Sequence, residues 1–300
     1  MIYWQKGARR LGTIPILLLL ALGAPAQSGR GGDVRRHPVT LNVIVRGPQE
    51  KQITKEMFDF YDSGVPQQVE TFWPIEKGSR IVLLVDNSLN LKAEPAALSR
   101  ATIAIMEELY EDDQMMVVGY SESAEIIEDM TADLNKLRAA ASKFTRNGFP
   151  RLFDALMAVA DALAASPLEK RAIILISDGY DSDSKTKFDD VLETLQEENI
   201  ILYALQVPDR TRGALLRDRP KPPIVIEKLT VGTGGAAFPL DKAAEAAKVI
   251  TDELRNRWYR LTYTPSGVNM ISKRNLLIIS REPGVELRTK SAHPGRYRGY

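Results

Sequence analysis

Five consecutive apolar residues at 81–85 run straight into Asp86, and the pattern returns at 172–176 ahead of Ser177, Asp178 and Gly179. Unbroken apolar runs of this length, bounded by polar residues, belong to strands buried on both faces, as in a parallel sheet. Further strands are expected at 115–120, 124–127 and 200–207. Between them, apolar residues spaced three and four apart predict helices over 95–109, 134–144, 152–164, 188–198 and 243–257. Strands alternating with helices predict an α/β fold with a doubly wound, mostly parallel sheet and helices on both faces. The stretch 208–223, rich in arginine and proline, breaks this pattern and reads as an exposed, solvated connection. Gly232–Gly235 lacks the lysine and the strand-to-helix setting of a phosphate loop, and reads as a turn into a strand at 236–238.

Both flanks of this region have β character. Alternation at 39–45 predicts a strand, 53–60 a short helical or turn segment, and Ser63-Gly64 a hairpin turn between strands at 60–62 and 67–72. Strands are also expected at 258–264, 275–280 and 285–289. Each flank has too few strands to be stable alone. The expected solution is one small β-sandwich, built from an N-terminal segment (38–78) and a C-terminal segment (257–300), around an α/β domain at 79–256.

The first 26 residues have the plan of a secretory signal. Lys6, Arg9 and Arg10 precede an apolar core at 14–22 and the small-residue site Ala24-Pro25-Ala26. That core is shorter than the ~20 residues of a membrane-spanning helix. Residues 27–37 read as a flexible leader. An exported protein, periplasmic or extracellular and without a transmembrane anchor after cleavage, is therefore expected. The chain has no cysteine, which excludes thiol catalysis and zinc–thiolate sites. Its two histidines, His37 and His293, both precede prolines near the ends, which argues against a histidine triad. With 40 basic and 39 acidic side chains there is no electrostatic case for nucleic acid.

Candidate chemistry concentrates where the two central strands end. In an open α/β sheet, ligands sit just beyond the carboxyl ends of strands. Asp86 and Asp178 fall there, with Ser88 and Asn90 at alternating positions, and oxygen donors of this kind suit a hard cation. The stretch 80–90, RIVLLVDNSLN, resembles the Asp-x-Ser-x-Ser metal motif of von Willebrand factor type A domains, and Asp178-Gly179 resembles that family's later Asp-Gly motif. Leu152-Phe153-Asp154-Ala155 is similar to the family's Leu-aromatic-Asp-Ala loop. The segments around Met57–Asp62 and Trp258–Gly267 are similar to bacterial members.

The resemblance implies the fold above, a protein ligand, and a cation site formed by Asp86, Ser88, Asn90 and Asp178. It also implies that this site is degenerate, because Pro150 stands where the family has its threonine and offers neither hydroxyl nor N–H. Weakly held Mg²⁺ or Ca²⁺, or no metal, is the expectation. Arg146 and Arg151 lie beside the lost threonine, and either guanidinium could bridge Asp86 and Asp178 in place of a cation. Partner contacts are expected at Asn87, Leu89, Asn147, Phe149, Arg151, Gly179 and Tyr180, with an acidic partner side chain if metal is present. Asp181 and Asp183 read as a solvated acidic loop, and Asp113 as a turn or cap. The alternative is a metal-dependent phosphoesterase using Asp86 and Asp178, against which the missing Asp-x-Asp counts.

Overall fold

The computed structural model describes residues 37–48, 52–165, 170–214 and 220–295. The signal segment and leader up to residue 36 lie outside the described residues.

Three adjacent strands form the centre: β5 (Arg80–Asp86), β8 (Arg171–Ser177) and β9 (Ile200–Gln206). Side chains on a strand alternate between its two faces, and here the alternation divides the core. Ile81, Leu83, Val85, Ala172, Ile174 and Ile176 enter one apolar cluster, while Val82, Leu84, Ile173 and Leu175 enter another. The first cluster is closed by α1 (Pro95–Glu107), α2 (Leu134–Ala140) and α6 (Ala243–Asn256). The second is closed by α3 (Leu152–Ala164), α4 (Phe188–Glu197) and α5 (Pro222–Thr233). With β6 (Gln114–Tyr120), β7 (Ala124–Thr131) and β10 (Ala237–Pro239), the sheet order is β10-β9-β8-β5-β6-β7. All neighbours are parallel except β6 and β7.

The chain leaves β5 toward β6 on one side and later returns to β8 on the other. The topological switch point therefore lies between β5 and β8, where ligand crevices open. Register aligns Val85 with Ile176 and Asp86 with Tyr120.

The flanking strands form two four-stranded antiparallel sheets. The first contains β1 (Val39–Arg46), β4 (Val69–Pro74), β11 (Trp258–Tyr263) and β13 (Glu286–Thr289), in the order β13-β1-β11-β4. The second contains β2 (Phe58–Asp62), β3 (Val65–Pro66), β12 (Arg274–Ser280) and β14 (Ala292–His293), in the order β14-β12-β2-β3. Each sheet takes two strands from the N-terminal segment and two from the C-terminal segment, and their inner faces share one core that includes Leu41, Phe60, Leu261 and Leu276. Buried Asp62 accepts hydrogen bonds from Tyr263 at 2.7 Å and from Arg274, joining the two sheets.

Two local expectations are corrected. The Ser63-Gly64 turn does form a hairpin, but with the two-residue β3; the next strand, β4, belongs to the opposite sheet. Pro66 has no N–H to extend the ladder. Gln67 then exchanges hydrogen bonds with the Ser266 backbone, drawing the chain across to β11. The connection at 208–223 is also shorter than it reads. Pro222 and Pro223 open α5, where the missing N–H groups cost nothing. The Gly232–Gly235 segment supplies the end of that helix, with Gly234 in the left-handed conformation at φ 87°.

Asp113 caps the turn into β6, accepting from Ser79 N at 2.8 Å and Tyr110 N at 3.2 Å. Asp113→Ala strands both donors near the opposite end of the sheet from the candidate site. It is expected to lower unfolding free energy by about 1–3 kcal/mol in urea titration. A change indistinguishable from zero would remove the capping role.

Candidate functional site

Asp86 ends β5 and Asp178 follows β8 by one residue, so adjacent parallel strands deliver the two carboxylates to the switch point. Both side chains are fully buried. Asp86 Oδ1 accepts from Ser88 N at 2.9 Å and from the Ser88 hydroxyl. Its Oδ2 accepts from Tyr120 OH at 3.3 Å, and the same phenol meets Ser177 Oγ at 2.8 Å. Burial, with the Asp86 charge next, pushes the Tyr120 phenol well above its ordinary value, so it remains protonated.

A cation does lie between these carboxylates: the guanidinium of Arg210. Its Nε donates to Asp178 Oδ2 at 2.7 Å. Nη2 donates to Asp86 Oδ2 at 2.6 Å and Asp178 Oδ1 at 3.0 Å. Nη1 donates to Ser88 Oγ at 2.9 Å and the Leu89 carbonyl at 3.3 Å. A guanidinium has five N–H groups, and each has an acceptor here. The Arg210 backbone N–H adds a bond to Asp178 Oδ2 at 3.0 Å, and the ring of Tyr180 lies 5.2 Å from the guanidinium.

The segment that carries Arg210 is built to hold it. Asp209 accepts from Thr211 N at 2.8 Å, from the Thr211 hydroxyl and from Gly213 N at 3.0 Å, closing a turn just past β9. Lys92 Nζ donates to the Asp209 carbonyl at 2.7 Å. With 9% of its side chain exposed, Arg210 is part of the interior. Burial opposes its charge, but the hydrogen bond to Asp178 and the charges of Asp86 and Asp178 outweigh that, and its pKa is raised. Burial also raises the Asp86 carboxyl above its ordinary value, while Arg210 and Ser88 pull against that rise.

The bridging arginine is therefore neither of the two nearest the lost threonine. Arg146 donates to the Leu91 carbonyl at 2.8 Å, and Arg151 precedes α3 with its N–H on the Ser121 carbonyl at 2.8 Å. Pro150 is buried, and its carbonyl accepts from Ser182 N and Oγ at 2.8 and 3.0 Å. Asn90 is exposed in a left-handed turn at φ 66° and makes none of the site's hydrogen bonds.

Loops frame the crevice. Asn87 N bonds the Tyr120 carbonyl, Asn147 N the Asn87 carbonyl and Leu89 N the Gly148 carbonyl, locking 87–89 to 147–148. Gly179, at φ 83°, brings the loop after β8 so close to α5 that a Cβ would lie 2.3 Å from the Pro222 carbonyl. Asp181 accepts from Phe153 N at the start of α3, and Asp154 accepts from Lys185 N and Thr186 N in return. Asp181 is thereby a structural cap rather than a free acid. Leu89 (45% exposed) and Phe149 (58%) stand out as large apolar side chains on this rim.

Among known proteins, the von Willebrand factor type A domain family matches residues 81–180, the span from β5 through the Asp178 loop. Solved structures are similar at low identity. A von Willebrand factor type A protein from Catenulispora acidiphila is 12% identical, covering 88% of this chain and 75% of its own, with TM-score 0.49. An aerotolerance-related membrane protein from Bacteroides fragilis is 15% identical, covering 59% and 98%, with TM-score 0.47. BatB from Bacteroides thetaiotaomicron is 16% identical, covering 59% and 97%, with TM-score 0.47. No curated protein sequence matches the chain. Residues 81–180, from β5 through the Asp178 loop, thus match the von Willebrand factor type A domain family, and they lie within the mostly parallel α/β sheet.

Proposed function

We propose that the chain is an exported protein–protein interaction module. It binds its partner at the loops beyond the strand carboxyl ends, and it does so without a divalent cation. The observation that carries the cation-free reading is Arg210, which engages Asp86, Ser88 and Asp178 with all five of its N–H groups. The residues that resemble a cation site therefore do not fit a cation as they are arranged. Their donor oxygens face a guanidinium, a second positive charge there would be repelled, and Pro150 supplies no hydroxyl. A partner carboxylate has no free ligand position to fill either. Recognition then falls to the rim, where Leu89 and Phe149 offer exposed apolar surface. Export is supported by the signal-like plan of residues 1–26, and no helix among the described residues is long and apolar enough to cross a membrane. The hydrolase alternative loses support for the same reason as the metal, because both of its carboxylates are held by Arg210.

Two measurements test this reading. Titration of residues 27–300 with Mg²⁺, Ca²⁺ and Mn²⁺ in a calorimeter is expected to give no saturable heat, and saturable binding that disappears in Asp86→Ala would overturn the cation-free reading. Retention of bacterial envelope proteins on the immobilised chain is expected to survive EDTA and to fall at least about tenfold in Phe149→Asp. Retention that is indifferent to Phe149→Asp would overturn the assignment of the binding face.

A further inference from the structure

Beside the Arg210 site, on its α3–α5 side, lies a concavity of about 260 Å³. Three half-buried aromatic rings, Phe153, Tyr180 and Phe188, line it together with Pro220, Pro222 and Val225. Phe153 and Phe188 meet edge to face, with centroids 5.7 Å apart. Tyr180 turns one part of its surface to this space and also carries the Arg210 guanidinium, so the concavity belongs to the same face of the domain.

Its lining carries one charge of each sign, and the two differ in what they already bind. The charged residues in its lining are Asp181 and Lys187. The Asp181 carboxylate is spent on Phe153 N, Ser184 N and Ser184 Oγ. Lys187 is exposed, and among the described residues its side chain makes no ion pair or hydrogen bond. Lys228 adds a second exposed ammonium 6.0 Å from the Phe188 ring. The result is an aromatic-walled cavity of single-side-chain size with two exposed ammonium groups, Lys187 and Lys228, at its edge.

We propose that this concavity is an anchor pocket for one aromatic side chain of the partner protein, with a carboxylate within two residues of it that pairs with Lys187. The volume suits a single ring. The walls offer edge-to-face contacts that favour a ring over an aliphatic chain. Buried aromatic anchors in pockets of this kind carry a disproportionate share of interface affinity. The pocket lies outside the cluster formed by Asp86, Ser88 and Asp178, and it needs no metal. This inference rests on the interaction-module reading above and gives the partner a chemistry.

The test uses the full chain and the peptide acetyl-Gly-Phe-Asp-Glu-Gly-amide, with binding followed by amide chemical shifts. The expected result is saturable binding that moves the resonances of Phe153, Tyr180 and Phe188. Replacing Phe by Ala, or Asp-Glu by Lys-Lys, in the peptide should weaken it by about tenfold or more. Thr186→Trp fills the cavity and should abolish binding. Lys187→Glu changes an exposed side chain and should weaken binding by about fivefold. Phe188→Ala removes a wall and serves as a second variant should Thr186→Trp fail to melt cooperatively. Equal binding of the Phe and Ala peptides, or binding unaffected in both pocket variants, overturns the proposal. Envelope-protein retention separates the two ideas. Loss in Phe149→Asp with no change in Thr186→Trp or Phe188→Ala refutes the anchor pocket and leaves the interaction face standing. Indifference to Phe149→Asp refutes the interaction face itself.

Discussion

Arg210→Ala is expected to destabilise the protein by about 3–5 kcal/mol, because it leaves two fully buried carboxylates side by side without their counter-ion. For a domain of this size that is a fall in melting temperature of about 10 °C. The cost comes from uncompensated burial rather than from the worth of the ion pair itself. Arg210→Met combined with Asp86→Asn and Asp178→Asn should accordingly recover most of it.

The loss should also depend on pH in a defined sense. Burial already holds the Asp86 carboxyl above its ordinary value, with Arg210 among the forces pulling it down. Removing Arg210 pushes it further up. The folded variant then keeps a proton that the unfolded chain has released, so its stability falls as pH rises from the ordinary carboxylate range through the raised folded value. Urea titrations of both chains from pH 4 to 7 should therefore show a gap that widens with pH. A gap of constant size, or a variant as stable as the native chain at pH 7, would mean that the guanidinium does not neutralise these carboxylates.

Arg210 also marks where the sequence stops being legible. The apolar runs 81–85 and 172–176 announce β5 and β8 because strands buried on both faces have no polar positions to spare. From those strands follow the α/β class, the switch point and the pairing of Asp86 with Asp178. The bridging cation is not found the same way. Arg146 and Arg151 are close to Pro150 along the chain, but proximity at the carboxyl edge is set by strand order, and β9 lies beside β8. Asp209-Arg210-Thr211, a self-capping turn immediately past a buried strand, was the available signal. It was hidden inside a segment whose arginines and prolines read together as solvated loop.

The missed helix has a similar cause. Val225, Ile226 and Leu229 have helical spacing and are buried, but Pro222-Pro223 before them and the glycines after them look like loop when read without their capping roles. In the sandwich, the transfer of β4 to the opposite sheet depends on one proline and one glutamine–backbone exchange, which hydrophobic alternation does not encode.

Lys290→Met is expected to stabilise the protein by about 1–3 kcal/mol at pH 6.5, with the gain disappearing toward pH 10. Lys290 is 4% exposed where β13 leads into β14, and its ammonium donates to the Gln196 carbonyl at 2.6 Å. Glu197 at the end of α4 and Glu198 just beyond it favour its charge, and Arg274 on β12 opposes it. His293 lies nearby, its own pKa lowered to about 4 by burial and then by Lys290. Burial dominates, and the Lys290 pKa falls from 10.5 to about 7. A shift of that size corresponds to about 5 kcal/mol of cost while both states remain protonated. The methionine forfeits the bond to Gln196, which reduces the net gain, although that carbonyl keeps Asn199 N as a partner.

Above about pH 7 the folded chain sheds the Lys290 proton, while the unfolded chain keeps it to 10.5. The unfolded state then holds more protons, and native stability rises with pH across that window. Lys170, lowered to about 8 by burial, acts with the same sign, so the Lys290→Met chain should retain a shallower slope rather than none. Unfolding free energies of the two chains, measured in urea from pH 6 to 10, should converge as pH rises. Parallel curves would show that Lys290 keeps its proton at the same pH in the folded and unfolded chain, and so that its burial carries no electrostatic cost.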